Sequence, residues 1–493
     1  MNIKTLVAAL ACAGFATAVH ATNGMNLEGY GPIATGMGGA SFAYDNGNAA
    51  MMNNPATLGL VADGSNRLDV ALGMLGPDVT SRRAPMPNAG SGGDAYFMPA
   101  AGWSRRTGAL TYGVGMFGQG GMGTEYGSAS FMSGYRSMLG AQGMSGQEAR
   151  SELGVGRVIL PLVYNVKDTL TIGGSLDFVW GGLDLKMPMG GAMFADMMPG
   201  STNVFGEIAP TSTMLIPMGG MLNPGCNATT QPCMTDVNWA HFDFSDGNDF
   251  TQKARGRGWA GKIGAAWKVA PNVTVGAVYH AKTAMSDFKG SATMRMNVDM
   301  VVPNGMGGSV AMPGTSIPVS GRIRIHDFQW PETYGVGLAV QATDRLRVAA
   351  DYKRINWSDV MRNFKMTFAA DATQANPMAA GFGGLNMTAT LYQNWDDQDV
   401  FMIGAAYKAT DALTLRAGVN LAGNPIPNAN VNPLFPATIK NHYTVGLGYA
   451  FNRASDLNFS LSYAPEVSVA NPNMGVSIGH SQLNWQLMYS HRF

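Results

Sequence analysis

Apolar and polar residues alternate along much of the chain, which is the pattern of β-strands with two unlike faces. In residues 413–421 every odd position is apolar, while the even positions are Thr414, Arg416, Gly418 and Asn420. The same period of two recurs in residues 170–180, 273–279, 346–352, 443–451, 457–463 and 483–493. The pattern predicts an all-β chain whose strands are apolar on one face only.

Two architectures bury half-apolar strands: a soluble sandwich and a membrane barrel with its apolar face toward lipid. Aromatic residues cluster near the predicted strand ends, as the interfacial girdles of a barrel require. The opposite faces carry glycine and charge, including Asp177, Lys282, Arg347, Lys353 and Arg416. These features favour a transmembrane antiparallel β-barrel with a polar interior.

The last alternating run ends at the final residue. Leu483, Trp485, Leu487 and Tyr489 share one face with Phe493. This arrangement resembles the C-terminal signal of bacterial outer-membrane barrels, and it predicts that the barrel assembly machinery binds the strand through Phe493. We therefore expect the protein in the outer membrane of a Gram-negative bacterium.

Loop lengths are asymmetric along the chain. Short turns rich in Asn, Asp and Pro separate pairs of alternating runs, as tight hairpins require. Longer Met-, Gly- and Pro-rich segments separate the other pairs, near residues 121–151, 186–253, 291–320, 359–396 and 423–438. This asymmetry is typical of outer-membrane barrels. Counting the runs predicts about 14 strands, near residues 66–77, 95–106, 108–119, 153–167, 168–184, 254–268, 271–290, 321–341, 343–358, 397–409, 411–422, 439–452, 455–466 and 482–493.

The N-terminus has the features of a secretory signal. A short basic start is followed by an Ala-rich apolar run and by Val19-His20-Ala21. This predicts a signal peptide over residues 1–21. In an exported chain, Cys226 and Cys233 are expected to form a disulfide that closes a loop, and free thiols are the alternative.

Composition excludes several classes of function. Lys and Arg together number 32, as do Asp and Glu, so the basic excess of a nucleic-acid-binding protein is missing. The histidines are isolated, and no Gly-x-Ser-x-Gly motif or pair of metal ligands is present. We expect neither an enzyme nor a cofactor or metal site.

Residues 22–65 precede the first strand and are rich in Gly, Ala and Asn. The lumen of a barrel of this size is wide, and a segment attached at the short-turn end is placed to fill it. We therefore divide the mature chain into an N-terminal plug, residues 22–65, and a barrel, residues 66–493.

Several motifs in this order resemble the FadL/TodX family of outer-membrane transporters for fatty acids and other hydrophobic compounds. They are Gly29-Tyr30-Gly31-Pro32, Gly36-Met37-Gly38-Gly39-Ala40, Asp45, Asn54-Pro55-Ala56, the segment from Phe117 to Tyr126, Leu160-Pro161-Leu162 and Trp180-Gly181-Gly182-Leu183-Asp184. The resemblance extends over the whole mature chain, although no single motif is decisive.

The resemblance implies a barrel with an internal hatch. It further implies passive uptake in which a ligand is captured by outer loops, passes the hatch and leaves sideways through the wall at a kink in the third strand. Gly118, Gly120 and Gly121 would weaken strand pairing at that kink, and a mobile loop start is their alternative role. Asn54, Pro55 and Ala56 are expected near the same gap.

Ligand-binding candidates are less defined. Methionine is abundant, and the flexible thioethers of Met187, Met189 and Met193 suit a groove for varied apolar ligands. Loop packing and Cu(I) binding are the alternatives for these residues. A fatty-acid carboxylate would need a cation, and the candidates are Arg157, Lys282, Lys353 and Arg416, unless they pair with lumen carboxylates.

We thus expect passive uptake of a hydrophobic small molecule, with the surrounding lipid as a second partner. A structural or adhesive barrel and a general diffusion porin are the alternatives. The sequence leaves open whether the ligand is a fatty acid, an aromatic hydrocarbon or a terpenoid.

Overall fold

The computed structural model describes residues 23–201, 204–210, 217–218, 221–222, 226–248 and 251–493. The predicted signal peptide, residues 1–21, lies outside the described residues. No helix in the described ranges is long and apolar enough to cross a membrane. The described fold is built almost entirely from β-strands.

The strands follow one another along the chain with few helical interruptions. They are β1 (Asn66–Leu75), β2 (Pro77–Arg82), β3 (Ala89–Gly90), β4 (Tyr96–Thr107), β5 (Leu110–Tyr126), β6 (Gly134–Arg136), β7 (Gln142–Met144), β8 (Ala149–Lys167), β9 (Leu170–Gly190), β10 (Gly206–Pro210), β11 (Pro217–Met218), β12 (Met221–Leu222), β13 (Cys233–Asp243), β14 (Ala254–Ala270), β15 (Val273–His280), β16 (Ala284–Met285), β17 (Phe288–Pro303), β18 (Ser309–His326), β19 (Thr333–Gln341), β20 (Leu346–Ile355), β21 (Asn363–Ala370), β22 (Asn386–Tyr392), β23 (Gln398–Lys408), β24 (Leu413–Ala422), β25 (His442–Ala450), β26 (Ser455–Asn471) and β27 (Val476–Arg492).

Helices are short. Two α-helices span Pro32–Thr35 and Gly191–Asp196. Turns of 3-10 helix occur at Ala49–Met51, Pro55–Leu60, Phe131–Ser133, Trp357–Asp359, Pro377–Phe382 and Asn428–Asn430.

Antiparallel pairing closes a barrel. The ring runs through β1, β4, β5, β8, β9, β14, β15, β19, β20, β23, β24, β25, β26 and β27. It closes where β27 pairs with β1, from Arg67 opposite Arg492 to Met74 opposite Trp485. Each strand predicted from alternation overlaps a member of this ring.

The closed ring has 14 members, but the sheet as a whole contains more strands than the expected value of about 14. The main sheet has 23 strands, and among the described residues sixteen strands have nine residues or more. The extra strands lie at the long-loop end, where β13, β17, β18, β21 and β22 extend the sheet into segments expected to be loops. In β17 the buried residues Met294, Met296 and Val298 alternate with more exposed ones, so these methionines follow a strand period rather than an irregular loop.

The two faces of the wall differ as predicted. Large apolar side chains such as Val70, Leu162 and Ile263 are exposed on the outside of the ring, whereas Asn420 and Ser460 are buried inside it. Asp177, Arg347, Lys353 and Arg416 lie on inward-facing positions. The expectation for Lys282 is wrong: it lies after the end of β15, in the connection to β16, and it is exposed.

The N-terminal segment lies inside the ring. The backbone N–H groups of Ser41 and Phe42 donate to Asp351 Oδ2 at 2.6 and 2.9 Å, and the N–H of Asn48 donates to Asp69 Oδ2 at 2.6 Å. Asp351 is on β20 and Asp69 on β1, strands on different parts of the ring. Because these hydrogen bonds reach the inner surface of the ring at widely separated strands, residues 23–61 extend across the lumen.

Candidate functional site

The barrel wall is incomplete between β4 and β5. Their pairing runs from the turn only as far as Ala101 opposite Met116. Beyond this point Tyr96–Ala100 pair only with β1, and the continuation of β5 pairs only with β8. The facing edges of the two strands therefore have no ladder hydrogen bonds to each other in the described wall, which leaves a lateral gap.

A bulge in β5 lies at this gap. The register against β8 shifts between Gly118 and Gly120, and Gly120 has φ of 150°. A Cβ at Gly120 would overlap the carbonyl oxygen of Met25, and one at Gly121 would overlap the carbonyl oxygen of Leu153. Glycine at 120 and 121 thus permits both the bulge and the close approach of the N-terminal segment.

Residues 23–30 of the plug dock onto the bulge. Asn26 forms an isolated antiparallel bridge with Gly120. Its Oδ1 accepts hydrogen bonds from Gln119 Nε2 at 2.9 Å and from Trp330 Nε1 at 2.8 Å. The hydroxyl of Tyr30 donates to the carbonyl oxygen of Gln119 at 2.5 Å. Burial raises the pKa of Tyr30 well above its ordinary value, so this hydroxyl remains a donor at neutral pH.

A cavity of about 450 Å³ occupies the gap. This volume lies within the range of small-molecule sites, about 300–1,000 Å³. Its lining is largely apolar and glycine-rich and comes from the plug, from both strands at the gap and from neighbouring strands. The lining residues include Met25, Asn26, Glu28, Phe97, Met98, Met116, Phe117, Gly118, Gly120, Gly121, Glu152, Trp180, Gln252, Pro436, Ala437, His480 and Gln482.

A second segment, residues 429–437, covers the cavity from the long-loop end. The carbonyl oxygen of Pro433 accepts hydrogen bonds from Thr124 Oγ1 at 3.0 Å and from the Tyr126 hydroxyl at 3.2 Å. Asn471 Nδ2 donates to the carbonyl oxygen of Val431 at 2.9 Å. This segment was expected to be an outer loop, because its Pro and Asn content gives no alternating signal. It folds inward instead.

The cavity lining contains two acidic side chains but no Lys or Arg in the described structure. Glu28 is 1% exposed, and Glu152 is buried. No Lys or Arg is among the described residues that line it. Glu152 is paired with Arg150 at 2.7 Å, so a carboxylate ligand would meet the acidic side chain of Glu28 and no Lys or Arg in the described lining.

The lumen cations lie elsewhere, and two of them pair with the same acidic group. Arg157 Nη1 lies 2.8 Å from Asp177 Oδ2, and Lys262 forms an ion pair with the same oxygen. Lys353 lines a separate space of about 30 Å³ together with Arg157. Arg416 lies beside Gly446 and Gly448 and does not line the gap cavity. None of Arg157, Lys282, Lys353 and Arg416 lines the gap cavity.

Asn54, Pro55 and Ala56 do not lie at the gap. Asn54 caps the 3-10 helix Pro55–Leu60, and its Nδ2 donates to the carbonyl oxygen of Phe42 at 2.8 Å and to that of Ala265 on β14 at 3.2 Å. The helix runs toward the short-turn end, where the Gly59 carbonyl oxygen accepts from Asn165 Nδ2 at 2.9 Å. Residues 23–30 take the position expected for Asn54, Pro55 and Ala56.

The methionines expected to capture ligand are packed within the protein. Met187 and Met189 are buried on β9, and Met193 packs against the same apolar cluster. None of the three lines the gap cavity. Loop packing therefore describes them better than ligand capture.

The structure joins Cys226 and Cys233 in a disulfide with a Cα separation of 5.8 Å. It closes the turn that leads into β13.

Sequence reasoning missed Asn26, Glu28, Pro436 and His480. Nothing in the sequence around Asn26 or Glu28 distinguishes them from the rest of the Gly- and Asn-rich plug. The sequence did contain an indication for His480. It shares the alternating, inward-facing positions of the terminal strand with Asn484 and Gln486. The strand was expected to begin at residue 482, and β27 begins at Val476.

Comparison with known families matches almost the entire chain. Residues 7–486 match the profile of the family described as Outer membrane protein transport protein (OMPP1/FadL/TodX). A 65-residue stretch, 13% of this chain, is 52% identical to an uncharacterized protein from Chlorobium limicola, described by its position in the phosphoenolpyruvate carboxykinase gene 5' region. That match covers 32% of the Chlorobium limicola protein, about a third of its length.

Solved structures share the fold over nearly the full length. The toluene transporter TodX of Pseudomonas putida is 30% identical with a TM-score of 0.75, and the match covers 95% of this chain and 99% of TodX. The toluene transporter TbuX of Ralstonia pickettii is 28% identical with a TM-score of 0.69, and the match covers 95% of this chain and 99% of TbuX. A FadL homologue of Pseudomonas aeruginosa, 15% identical with a TM-score of 0.63 over 95% of this chain and 99% of the homologue, supports the fold alone.

Proposed function

Because this chain belongs to the OMPP1/FadL/TodX family of outer-membrane transport proteins, we propose that it admits neutral hydrophobic small molecules through the gap between β4 and β5. The protein is an outer-membrane β-barrel, and its relatives are transporters and channels rather than enzymes.

The observation that carries this proposal is the two-sided lining of the gap cavity. Phe97, Met116 and Trp180 are exposed on the outer face of the wall, whereas Met25 and Asn26 belong to the plug inside it. A cavity lined from both sides gives an apolar molecule a lateral route into the lipid. The free energy of such a molecule falls when it leaves water. A sideways exit into the lipid is therefore favoured over passage through a water-filled pore.

The plug is the proposed gate. Residues 23–30 hold the inner side of the bulge through the Asn26–Gly120 bridge and the Tyr30–Gln119 hydrogen bond. Passage from the lumen into the cavity requires these few contacts to open. Bonds of Ser41, Phe42 and Asn48 to the wall keep the rest of the plug in place.

The electrostatics of the cavity favour uncharged ligands. The carboxyl group of Glu28 would repel a fatty-acid carboxylate, whereas Glu152 is already paired with Arg150. Burial of the fatty-acid carboxylate without a cation in the described lining would be unfavourable. TodX and TbuX are both described as toluene transporters. We therefore place small neutral compounds, aromatic hydrocarbons among them, ahead of long-chain fatty acids.

The inner segments disfavour a general diffusion porin. Residues 23–61 and 429–437 occupy the lumen and bond to the wall, whereas a porin for polar solutes needs an open, hydrated constriction.

An uptake assay tests the proposal. Initial rates of radiolabelled toluene and of a radiolabelled long-chain fatty acid would be measured at low concentration in a Gram-negative host that lacks its own channels of this family. We expect saturable toluene uptake above the empty-vector rate and no such increase for the fatty acid. Equal saturable uptake of both would contradict the preference for neutral ligands, and uptake of neither would contradict transport.

A further inference from the structure

Several polar side chains line the otherwise apolar cavity at the gap, and most of them do not identify a ligand. Asn26 Oδ1 is fully engaged with the plug and the wall. Glu152 accepts hydrogen bonds from Arg150 at 2.7 Å and from Gln252 Nε2 at 3.0 Å. Among the described lining residues, only Glu28 and His480 have a fully buried polar atom without a hydrogen-bond partner. Glu28 and His480 remain.

His480 belongs to the cavity lining, and only one of its two ring nitrogens has a protein partner. Its Nδ1 lies 2.7 Å from the carbonyl oxygen of Pro436. A carbonyl oxygen can only accept, so Nδ1 carries the proton and, in the neutral ring, Nε2 carries the lone pair. Among the described residues, Nε2 has no hydrogen-bond partner, and the side chain is only 7% exposed.

Glu28 presents a second unpartnered acceptor. Its Oε1 accepts a hydrogen bond from Asn484 Nδ2 at 3.4 Å, while its buried Oε2 has no partner in the described structure. The two fully buried polar atoms of the cavity lining that lack a partner in the described structure are thus both acceptors. A buried acceptor without a donor destabilises the site, and a ligand that brings a donor removes this penalty.

We propose that the cavity selects neutral hydrophobic molecules that carry one hydroxyl group, such as phenols or alcohols, and that His480 Nε2 accepts a hydrogen bond from that hydroxyl. The inference rests on the proposed transport function and names the ligand chemistry of the same cavity. A hydroxyl supplies a donor without the negative charge that Glu28 disfavours. His480 is then a specificity-determining residue.

Toluene and p-cresol are the matched probes, because they differ only by one hydroxyl group. Binding would be measured with the full mature protein in lipid nanodiscs, by quenching of intrinsic tryptophan fluorescence, since Trp180 lines the cavity. 4-Methylanisole, a methyl ether without a donor, is the third probe. After correction for octanol–water partition, we expect wild-type protein to bind p-cresol at least about 5-fold more tightly than either of the other probes.

The variant His480→Asn separates the two roles of the ring. The Asn Nδ2 takes the position of the Nδ1 donor to Pro436, but the Nε2 acceptor is lost. We expect p-cresol affinity to fall about 5- to 20-fold while toluene affinity changes less than about twofold. His241→Asn is the matched control and should change neither affinity, because His241 is a buried histidine whose ring bonds the carbonyl oxygen of Glu148 and does not line the cavity. Heat-modifiable migration on gels verifies the folding of each variant.

The outcomes separate the inference from the proposed function. If wild-type protein binds toluene but shows no preference for p-cresol, the inference is overturned, the proposed function stands, and a water molecule is the better partner for Nε2. If Glu28→Gln rather than His480→Asn weakens p-cresol binding, the assignment to His480 is overturned. If wild-type protein binds no probe saturably, the proposed function fails with it. The comparison of toluene, p-cresol and 4-methylanisole on the wild-type protein tests the hydroxyl preference even if His480→Asn does not fold.

Discussion

At the scale of single residues, the lumen contains a cluster of charged side chains that are buried against one another. Arg157, Asp177 and Lys262 come from three adjacent strands, β8, β9 and β14, and their side chains are at most 3% exposed. Ser175 Oγ also donates to Asp177 Oδ1 at 2.6 Å. The Asp177 carboxylate therefore forms ion pairs with two buried cations. Its loss would leave both positive charges buried without their acidic partner.

Replacement of Asp177 by Asn should destabilise the barrel strongly. Removal of one member of a buried ion pair typically lowers the free energy of unfolding by about 3–5 kcal/mol, because the remaining charge stays buried. Urea unfolding from lipid vesicles would measure the change. Asp411→Asn is the matched control, since its exposed carboxylate pairs with Lys408 in a short turn and its loss should have no measurable effect. Equal stability of the two variants would show that the Asp177 cluster is not important for folding.

Residue roles were the least predictable part of the molecule. Alternation placed Asp177, Lys353 and Arg416 on the inner face, but it could not say that Asp177 would engage both Arg157 and Lys262. Lys282 was misassigned because β15 ends at His280, two residues before it. Pairing partners come from strands that are distant in sequence, and a single strand pattern contains no information on them.

At the scale of elements, the decisive feature is the upper half of β5. Its lower half pairs with β4 as in any barrel, and that pairing ends at Met116, just before the glycine bulge. The Gly118, Gly120 and Gly121 cluster was visible in the sequence, and the bulge lies where it was expected. The docking of residues 23–30 against it was not predicted, because the resemblance placed Asn54, Pro55 and Ala56 near the gap instead.

Gly120→Ala should close the gap. The added Cβ would overlap the carbonyl oxygen of Met25, and alanine disfavours φ near 150°, so a regular strand conformation that pairs with β4 becomes preferred. We expect toluene uptake to fall at least about fivefold while the barrel still folds. Rates would be normalised to the heat-modifiable protein in the outer membrane.

Gly127→Ala is the control for that experiment. Gly127 follows the end of β5, and a Cβ there would meet no atom within 4 Å. Its uptake should match the wild type. Unchanged uptake in Gly120→Ala would show that the bulge is not needed for passage.

At the scale of the whole molecule, the sequence was sufficient for the class of fold. Alternation and turn chemistry predicted the closed barrel, and Val70, Leu162 and Ile263 are exposed on its outer face. The sheet extensions β13, β17, β18, β21 and β22 were missed, because their methionines suggested loops. The inward fold of residues 429–437 was missed for a different reason: it depends on hydrogen bonds from Thr124, Tyr126 and Asn471, which belong to other strands.

The wall, the plug and the inward segment 429–437 meet at the lateral gap, so the central claim is that ligands leave through it. Met98 on β4 and Gly118 on β5 face each other there, and a Cβ built on Gly118 lies 3.5 Å from Met98 Cβ. This distance suits a disulfide. The double variant Met98→Cys/Gly118→Cys should therefore tie the two strands together across the gap.

The most direct measurement is the toluene uptake of this double variant, oxidised and then reduced, beside the two single-cysteine variants under the same treatments. The native pair Cys226–Cys233 is present in all of them and so cancels. We predict that oxidation lowers uptake at least about tenfold in the double variant alone and that reduction restores it. Full uptake through a completely cross-linked wall would contradict lateral passage.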